Sequence, residues 1–398
     1  MAAKIIEKSI STLIVVCAII VLAVLLSSAQ DAVYNFTDFP EYYTAAKLIV
    51  AGKGAAAYVL SEMARTQHDL FPALGKRFIP IYLPPPGLIL FTPIALFGLP
   101  MAFYVWKVAS IACLVASVFL LVCTFSLDYK KTCYLVAGLA LCHAFFEILH
   151  IDQIGTMLLL SLSAGLYFLQ KDEDIKAGLA LSFMIVKPQL ILPFLVYLVG
   201  LRRWRPVIVF ISLALGLTAL AYLLIGEIGF SNYLTLLRAP ESAFYMQAEL
   251  MPTFRGQLLR LWPSLSKEIF YISAAVFFAV AFCSWFCGAD NRKNAKAILW
   301  AFLLTIPLTL ITSLHCHSYD LILLGPTMVI IFTDGVVSFS QRFKLIIIVG
   351  SIVFMIPLAI YIHYFYLLQG GPINIWFIEL LVMEMAIIMR IMFNKEIE

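Results

Sequence analysis

The string Asp38-Phe39-Pro40-Glu41-Tyr42-Tyr43 puts two carboxylates and two phenols side by side in a chain that is mostly hydrocarbon. A carboxylate just outside an apolar span is placed to take a proton from a hydroxyl at a lipid–water boundary. General-base help of this kind is worth typically ~10²–10⁴-fold. Basic groups appear further along: Lys187-Pro188-Gln189 inside an apolar stretch, Arg255, and the turn His315-Cys316-His317-Ser318-Tyr319-Asp320. Lys, Arg and His near membrane level can hold a phosphate as an anion and as a leaving group, where a low dielectric strengthens the interaction. His150-Ile151-Asp152-Gln153 adds one more polar turn.

The elements that carry these residues are membrane helices. The chain has 398 residues, of which 63% are hydrophobic and 13% charged, against roughly 45–50% and about 25% in soluble domains. Its mean hydropathy is +0.99. Apolar runs of about 20 residues recur, each long enough to cross a bilayer as a helix. No alternating strand pattern suggests a barrel, so the fold class is an all-α polytopic membrane protein. The net charge of +4 is spread out and contains no basic block, which excludes a nucleic-acid partner. Most cysteines lie singly in apolar spans, and no CxxC pair indicates a zinc site or a disulfide framework. With no Asp-x-Asp pair or His/Cys ligand set either, no metal and no cofactor is expected.

Spans are expected near 9–28, 100–124, 132–149, 153–170, 206–226, 267–287, 297–313, 319–333, 345–366 and 375–393. The first exceeds a usual signal-peptide core, so it reads as an uncleaved span. Lys187-Pro188 breaks the stretch 177–200 into two short pieces. Placing Arg202-Arg203-Trp204-Arg205 inside, with the other basic loops, requires those pieces to go up and come back. The expectation is therefore a single integral membrane domain over 1–398, with about 12 membrane segments, two of them short, and both termini cytoplasmic. Two long outer segments follow, 29–99 and 227–266, and loops of this length are usually functional. In the first, 40–51 reads as an interfacial helix with Pro40 at its start and Gly52-Lys53-Gly54 at its end. Its stripe of Glu41, Thr44 and Lys47 opposite Tyr42, Tyr43, Ala46, Ile49 and Val50 suits a helix lying on the membrane.

With that parity, Asp38, Glu41, His150, Asp152, Gln153, Lys187, Gln189, Arg255, His315, His317 and Asp320 converge on the outer face. Each also has a structural reading. Asp38 can be a helix-start carboxylate, Lys187 can snorkel to headgroups, His150 and Asp152 can form a turn pair, and Asp320 can cap the helix after it. Arg255 can meet any lipid headgroup, and one of the two histidines can be structural. Taken together, a base and a set of cations at one face describe sugar transfer from a polyprenyl-phosphate donor to a hydroxyl.

The residues resemble the GT-C membrane glycosyltransferases, most closely glycosyltransferase family 87. The resemblance rests on Asp38-Phe39-Pro40-Glu41-Tyr42-Tyr43-Thr44-Ala45-Ala46 with Gly52, on Tyr82-Leu83-Pro84-Pro85 with Leu90, Pro93 and Trp106, and on Gln153, Gly178, Lys187-Pro188 and Arg202-Arg203-Trp204-Arg205. It is completed by Pro252-Thr253-Phe254-Arg255-Gly256 and by His317-Ser318-Tyr319-Asp320-Leu321 with Pro326. It implies a GT-C-type fold and a hexosyltransferase of the EC 2.4.1 type that inverts at the anomeric carbon. The sugar, often mannose, comes from a polyprenyl phosphate and goes to a lipid or glycan acceptor. Asp38 matches the general base, and His315 or His317 the basic residue near the donor phosphate. Lys187 and Arg255 join them as expected phosphate ligands. Glu41, Tyr42, Tyr82, His150, Gln153, Gln189 and Asp320 are the expected substrate contacts. The setting would be a bacterial inner membrane, with membrane lipids as partners and the site on the periplasmic face. A secondary transporter or lipid-sugar flippase is the competing class, since such proteins also carry ionisable residues in broken helices. A non-catalytic scaffold in envelope assembly is a third.

Overall fold

A computed structural model of the protein describes residues 37–140, 142–238, 247–294, 296–333, 363 and 365–394. Among these residues all regular structure is helical. In chain order the helices are α1 (Phe39–Val50), α2 (Leu60–Leu70), α3 (Pro85–Ile89), α4 (Leu99–Phe125), α5 (Tyr129–Ala140), α6 (His143–Ile151), α7 (Gly155–Gln170) and α8 (Asp174–Leu181). They continue as α9 (Leu192–Gly200), α10 (Trp204–Arg238), α11 (Phe254–Leu261), α12 (Ser266–Asp290), α13 (Ala297–Thr312), α14 (Gly325–Phe332) and α15 (Ile375–Asn394).

The expected count of about 12 membrane segments is not reached in the described residues. Three helices, α4, α10 and α12, are long and apolar enough to cross a membrane, and the pair α5–α6, bent by 50°, makes a fourth when read as one span. The expected span 9–28 and most of 345–366 lie outside the described residues. Two of the others fall short in length. α7 and α13 have 16 residues each, about 24 Å at 1.5 Å per residue, less than the ~30 Å hydrocarbon core. They are interior helices: most of the side chains of α13 are buried, and α7 packs on α4 and α8. α10 outruns its expected end, continuing to Arg238 through a kink at Gly226, whose φ of 75° needs no Cβ.

The stretch around Lys187 is broken as its proline demands. Ser182–Val186 and Pro188–Leu190 are 3₁₀ turns, and Lys187 between them has φ −137°, ψ 69°, outside the helical region. α8 packs against α7 and α10, whereas α9 packs against α12 and α13. The α9–α12 crossing is close because both helices present glycine: a Cβ on Gly200 would come within 2.2 Å of the Trp285 carbonyl oxygen, and one on Gly288 within 2.2 Å of that of Tyr197. Small residues at such crossings are how membrane helices gain dispersion contact when the lipid is as apolar as the interface.

The helix expected at 40–51 exists as α1, but it does not lie on a surface. Phe39 through Ala46, Leu48 and Ile49 are all buried, including Glu41 and Thr44 of the supposed polar stripe. Aromatic packing explains this. Phe39 and Tyr42 meet Trp106 at centroid distances of 5.8 and 4.8 Å, and Tyr42 meets Phe91 at 5.6 Å. Burying such rings is worth roughly 1.5–3 kcal/mol per side chain, enough to draw one buried carboxyl inward with them. Of the stripe only Lys47 is half-buried rather than buried, and it donates to the Ala95 carbonyl at 2.8 Å.

Candidate active site

The start of α1 frees Asp38 from capping. An N-cap side chain normally accepts from the N–H of the second or third helical residue. Here the second is Pro40, which has no N–H, and the Glu41 N–H goes to the Asp38 backbone carbonyl at 3.0 Å. The Asp38 carboxylate makes no cap bond, so the cap reading is not what this side chain does. It turns instead to Gln153, whose Nε2 donates to Oδ2 at 2.6 Å. The Tyr42 hydroxyl donates to Gln153 Oε1 at 3.0 Å. One amide thus joins Tyr42 and Asp38, and its NH₂ faces an oxygen that accepts best when ionised. The Asp38 N–H donates to the Ile151 carbonyl at 2.8 Å, tying α1 to the turn after α6.

That turn is held from behind. Asp152 has a left-handed backbone, φ 63°, ψ 37°. Its Oδ1 lies 2.5 Å from Lys107 Nζ, both side chains being buried. Lys107 also donates to the Leu149 carbonyl, and the Trp106 indole donates to the Asp152 carbonyl at 3.0 Å. Burial pushes the Asp152 carboxyl up to about 6, with Lys107 and Thr37 restraining the rise. His150, two residues before Asp152, is left outside: it is exposed and stacks on Phe146 at 5.8 Å. It stands apart from the Asp38–Gln153 pair, because the left-handed Asp152 turns the chain inward only after it.

Burial also raises the Asp38 carboxyl above its ordinary range. The Gln153 hydrogen bond and the charges of Arg77 and Lys187 oppose that rise, while Glu147 adds to it. Glu41 is raised well above its ordinary value by burial and then by the Asp38 charge. Of the two carboxyls in the opening string, Asp38 is therefore the one that ionises first.

The basic residues gather at the turn 314–320. Lys187 Nζ meets both Asp320 carboxylate oxygens, at 2.7 and 2.9 Å, with both side chains buried, and lies 4.7 Å from the Tyr319 ring centroid. The snorkelling reading of Lys187 is therefore wrong: a buried carboxylate already matches its charge. Asp320 also takes the His317 N–H at 3.0 Å, which fixes the start of the 3₁₀ turn Ser318–Leu324. Gln189 Nε2 donates to the His315 carbonyl at 3.2 Å, and an Arg255 terminal nitrogen donates to the Leu314 carbonyl at 2.7 Å. The rings of His315 and His317 are 4.9 Å apart, edge to face, and His317 stacks on Tyr319 at 5.4 Å. Burial, then the charges of His317, Lys187 and Arg255, hold His315 well below the usual histidine range. Of the four expected phosphate ligands, His317, Lys187 and Arg255 are thus all close enough to act on His315. Tyr82 is half-buried beside Leu83, whose carbonyl takes the Tyr58 hydroxyl at 2.8 Å.

Two contributors escape a reading of the sequence. Glu147 accepts from the Ser318 hydroxyl at 2.6 Å and lies 3.1 Å from His143 Nε2. The signal was present as an i, i+4 His–Glu pair in an apolar helix. Arg77 acts on Asp38 from a polar loop with no motif to mark it.

These observations define an all-helical integral membrane protein with an oriented carboxylate and a cation cluster at one site. A model of glycosyltransferase family 87 matches residues 82–313, more than half of the chain, and the protein belongs to that family. It is a glycosyltransferase. No curated protein and no solved structure matches the chain. The matched region contains Gln153, Lys187 and Arg255. Asp38 and Asp320 lie outside it but are bonded to Gln153 and Lys187.

Proposed function

We propose that the protein moves a hexose, most simply mannose, from a polyprenyl phosphate to a hydroxyl of a lipid or glycan acceptor on the outer face of a bacterial inner membrane. Asp38 takes the proton of the acceptor hydroxyl. The acceptor oxygen bonds to the anomeric carbon from the side opposite the phosphate, the carbon–phosphate-oxygen bond breaks, and polyprenyl phosphate leaves with the electron pair. The configuration inverts. His315, His317 and Arg255 hold the leaving phosphate, with the Lys187–Asp320 pair fixing the turn that carries the histidines. The leaving phosphate is already a good anion, so no second carboxyl is needed as an acid.

The observation that carries this reading is the Gln153 bridge. An Asp at a helix start that does not cap, and is aimed by a side-chain amide, is positioned for a task other than holding the helix. The test is transfer from polyprenyl-phosphate mannose to a lipid extract and to a glycan acceptor by the purified protein. Asp38→Asn should lose about 10²-fold or more in kcat, the general-base contribution, while still binding donor. Unchanged turnover in Asp38→Asn would defeat the base assignment.

A further inference from the structure

α6 makes contact with both the base and the turn that carries the histidines. At its end, the Ile151 carbonyl takes the Asp38 N–H at 2.8 Å. One helical turn earlier, about 5.4 Å along the axis, Glu147 takes the Ser318 hydroxyl at 2.6 Å. Ser318 follows His317 directly in the chain. Glu147 thus stands one turn from the contact that ties down Asp38, and its charge acts on both Asp38 and Tyr319. It is a carboxylate set between the two groups whose separation a transferred sugar has to span.

That carboxylate is held on one oxygen only. Ser318 Oγ and His143 Nε2 both meet Oε2, at 2.6 and 3.1 Å. His143 is itself fixed, stacking on the buried Trp376 at 5.1 Å with the two rings 3° from parallel. Oε1 takes no hydrogen bond among the described residues, and the side chain is 16% exposed. Space adjoins it, since His143 and Ser318 both line a cavity of about 880 Å³. A tie between α6 and the turn needs no charge, because a glutamine oxygen would accept from Ser318 as well. The charge is also a burden there, since it opposes the ionisation of Asp38. A ligand that uses the open, charged oxygen explains why a carboxylate occupies the position.

We propose that Glu147 binds the sugar being transferred: Oε1 accepts a hydrogen bond from one of its hydroxyls, while Ser318 and His143 position the carboxylate from Oε2. This rests on the reading of Asp38 as the base and of the histidine turn as the phosphate site, since in an inverting displacement the sugar lies between the two. The sugar that fits is neutral, with a free hydroxyl to donate. A uronic acid would set a second carboxylate against Glu147, a repulsion that a low dielectric magnifies.

The experiment measures calorimetric affinities, with no acceptor present, for polyprenyl-phosphate mannose and for its 2-, 3-, 4- and 6-deoxymannose counterparts, which carry the same phosphate charge. One deoxy donor should bind the wild type about ten- to a hundredfold more weakly than the mannosyl donor, the range for losing a hydrogen bond to a charged group. Glu147→Ala should weaken the mannosyl donor by a like factor and no longer distinguish it from that deoxy donor, with Glu147→Gln in between. Polyprenyl-phosphate glucuronate should bind the wild type more weakly than the mannosyl donor, and Glu147→Ala should narrow that gap. Affinity for sugar-free polyprenyl phosphate should stay the same in both variants, which also shows that the site is folded. If that affinity falls as much as affinity for the mannosyl donor, Glu147 is a structural tie and the inference is overturned. Unchanged mannosyl affinity in Glu147→Ala, losses that multiply for all four deoxy donors, or an unchanged glucuronate gap would overturn it too. Transfer is assayed separately. The sugar-dependent pattern without transfer keeps the Glu147 site and sinks the transfer reading, whereas transfer without the pattern does the reverse.

Discussion

Replacing Gln153 by Leu removes one of the shortest hydrogen bonds in the site, the 2.6 Å contact to Asp38 Oδ2, and the 3.0 Å contact from Tyr42. A hydrogen bond to a charged group is worth roughly 1.5–3 kcal/mol, and every 1.36 kcal/mol is tenfold in rate. Asp38 already has a raised pKa from burial, and Gln153 is first among the groups that oppose it. Without Gln153 the carboxyl holds its proton to higher pH. The base is active only when ionised, so the acidic limb of kcat/KM moves upward. At a pH on that limb Gln153→Leu should lose about ten- to a hundredfold, from the same hydrogen-bond energy, and recover part of it as the pH rises. The assay is a pH profile of transfer with saturating donor, run beside Gln153→Glu, whose added negative charge should move the limb further in the same direction. A loss of equal size at every pH, with the limb unmoved, would refute the argument that Gln153 tunes Asp38.

The buried Lys187–Asp320 pair gives a second expectation. Removing one partner, in Lys187→Met or Asp320→Asn, should destabilise by about 3–5 kcal/mol because the other charge is left buried and unmatched. The apparent Tm in detergent checks it, and Lys187→Met with Asp320→Leu should regain much of the loss. Asp152 gives a third. Its folded pKa of about 6 lies above the ordinary 3.8, so between those values the native state holds a proton that the unfolded chain releases. Its contribution to stability therefore grows as the pH falls from about 6 towards about 4, and Asp152→Asn should flatten that part of the Tm–pH curve. His315 gives a fourth. It is held neutral in the free protein, and a bound phosphate would favour its cationic form. Calorimetric affinity for polyprenyl phosphate should rise as the pH falls, and His315→Gln should lose that dependence.

How far the sequence reaches depends on what each inference needed. Composition and apolar run length were enough for helices in a membrane. Proline chemistry was enough for the break at Lys187, because a lost N–H and a clash are local facts. The count of spans is not reached among the described residues where local apolarity was taken for lipid exposure: α13 is as apolar as a lipid-facing helix, but its side chains are buried against other helices. The stripe on α1 failed for the same reason. Glu41 and Thr44 recur at helical spacing, but Phe91 and Trp106 arrive from other segments to enclose that helix. At the site, Asp38, Gln153, Lys187 and the histidines were all legible as polar residues in apolar settings. Which partner each would take was not. The Lys187–Asp320 and Lys107–Asp152 pairs join residues far apart in sequence, and only packing brings them together.

Those pairings change what the charges of the site can do. Lys187 is cancelled by Asp320, and Lys107 serves Asp152. Glu41 is pushed towards its neutral form, and His315 is held neutral. What is left is Asp38 with Glu147 close enough to act on it, and Arg255 beside the two histidines at the 314–320 turn, which Glu147 meets through Ser318. A uniformly basic pocket would bind a lipid phosphate well but would hold Asp38 in a tight ion pair, too weak a base for a sugar hydroxyl. A uniformly acidic one would repel the donor. Burial lifts the Asp38 carboxyl more than Gln153 and the charges of Arg77 and Lys187 lower it, so the base can be strong while Gln153 keeps it aimed. On the proposed reading, a base lifted by burial, beside turns held in place by internal ion pairs, would let one site accept a proton and keep an anion.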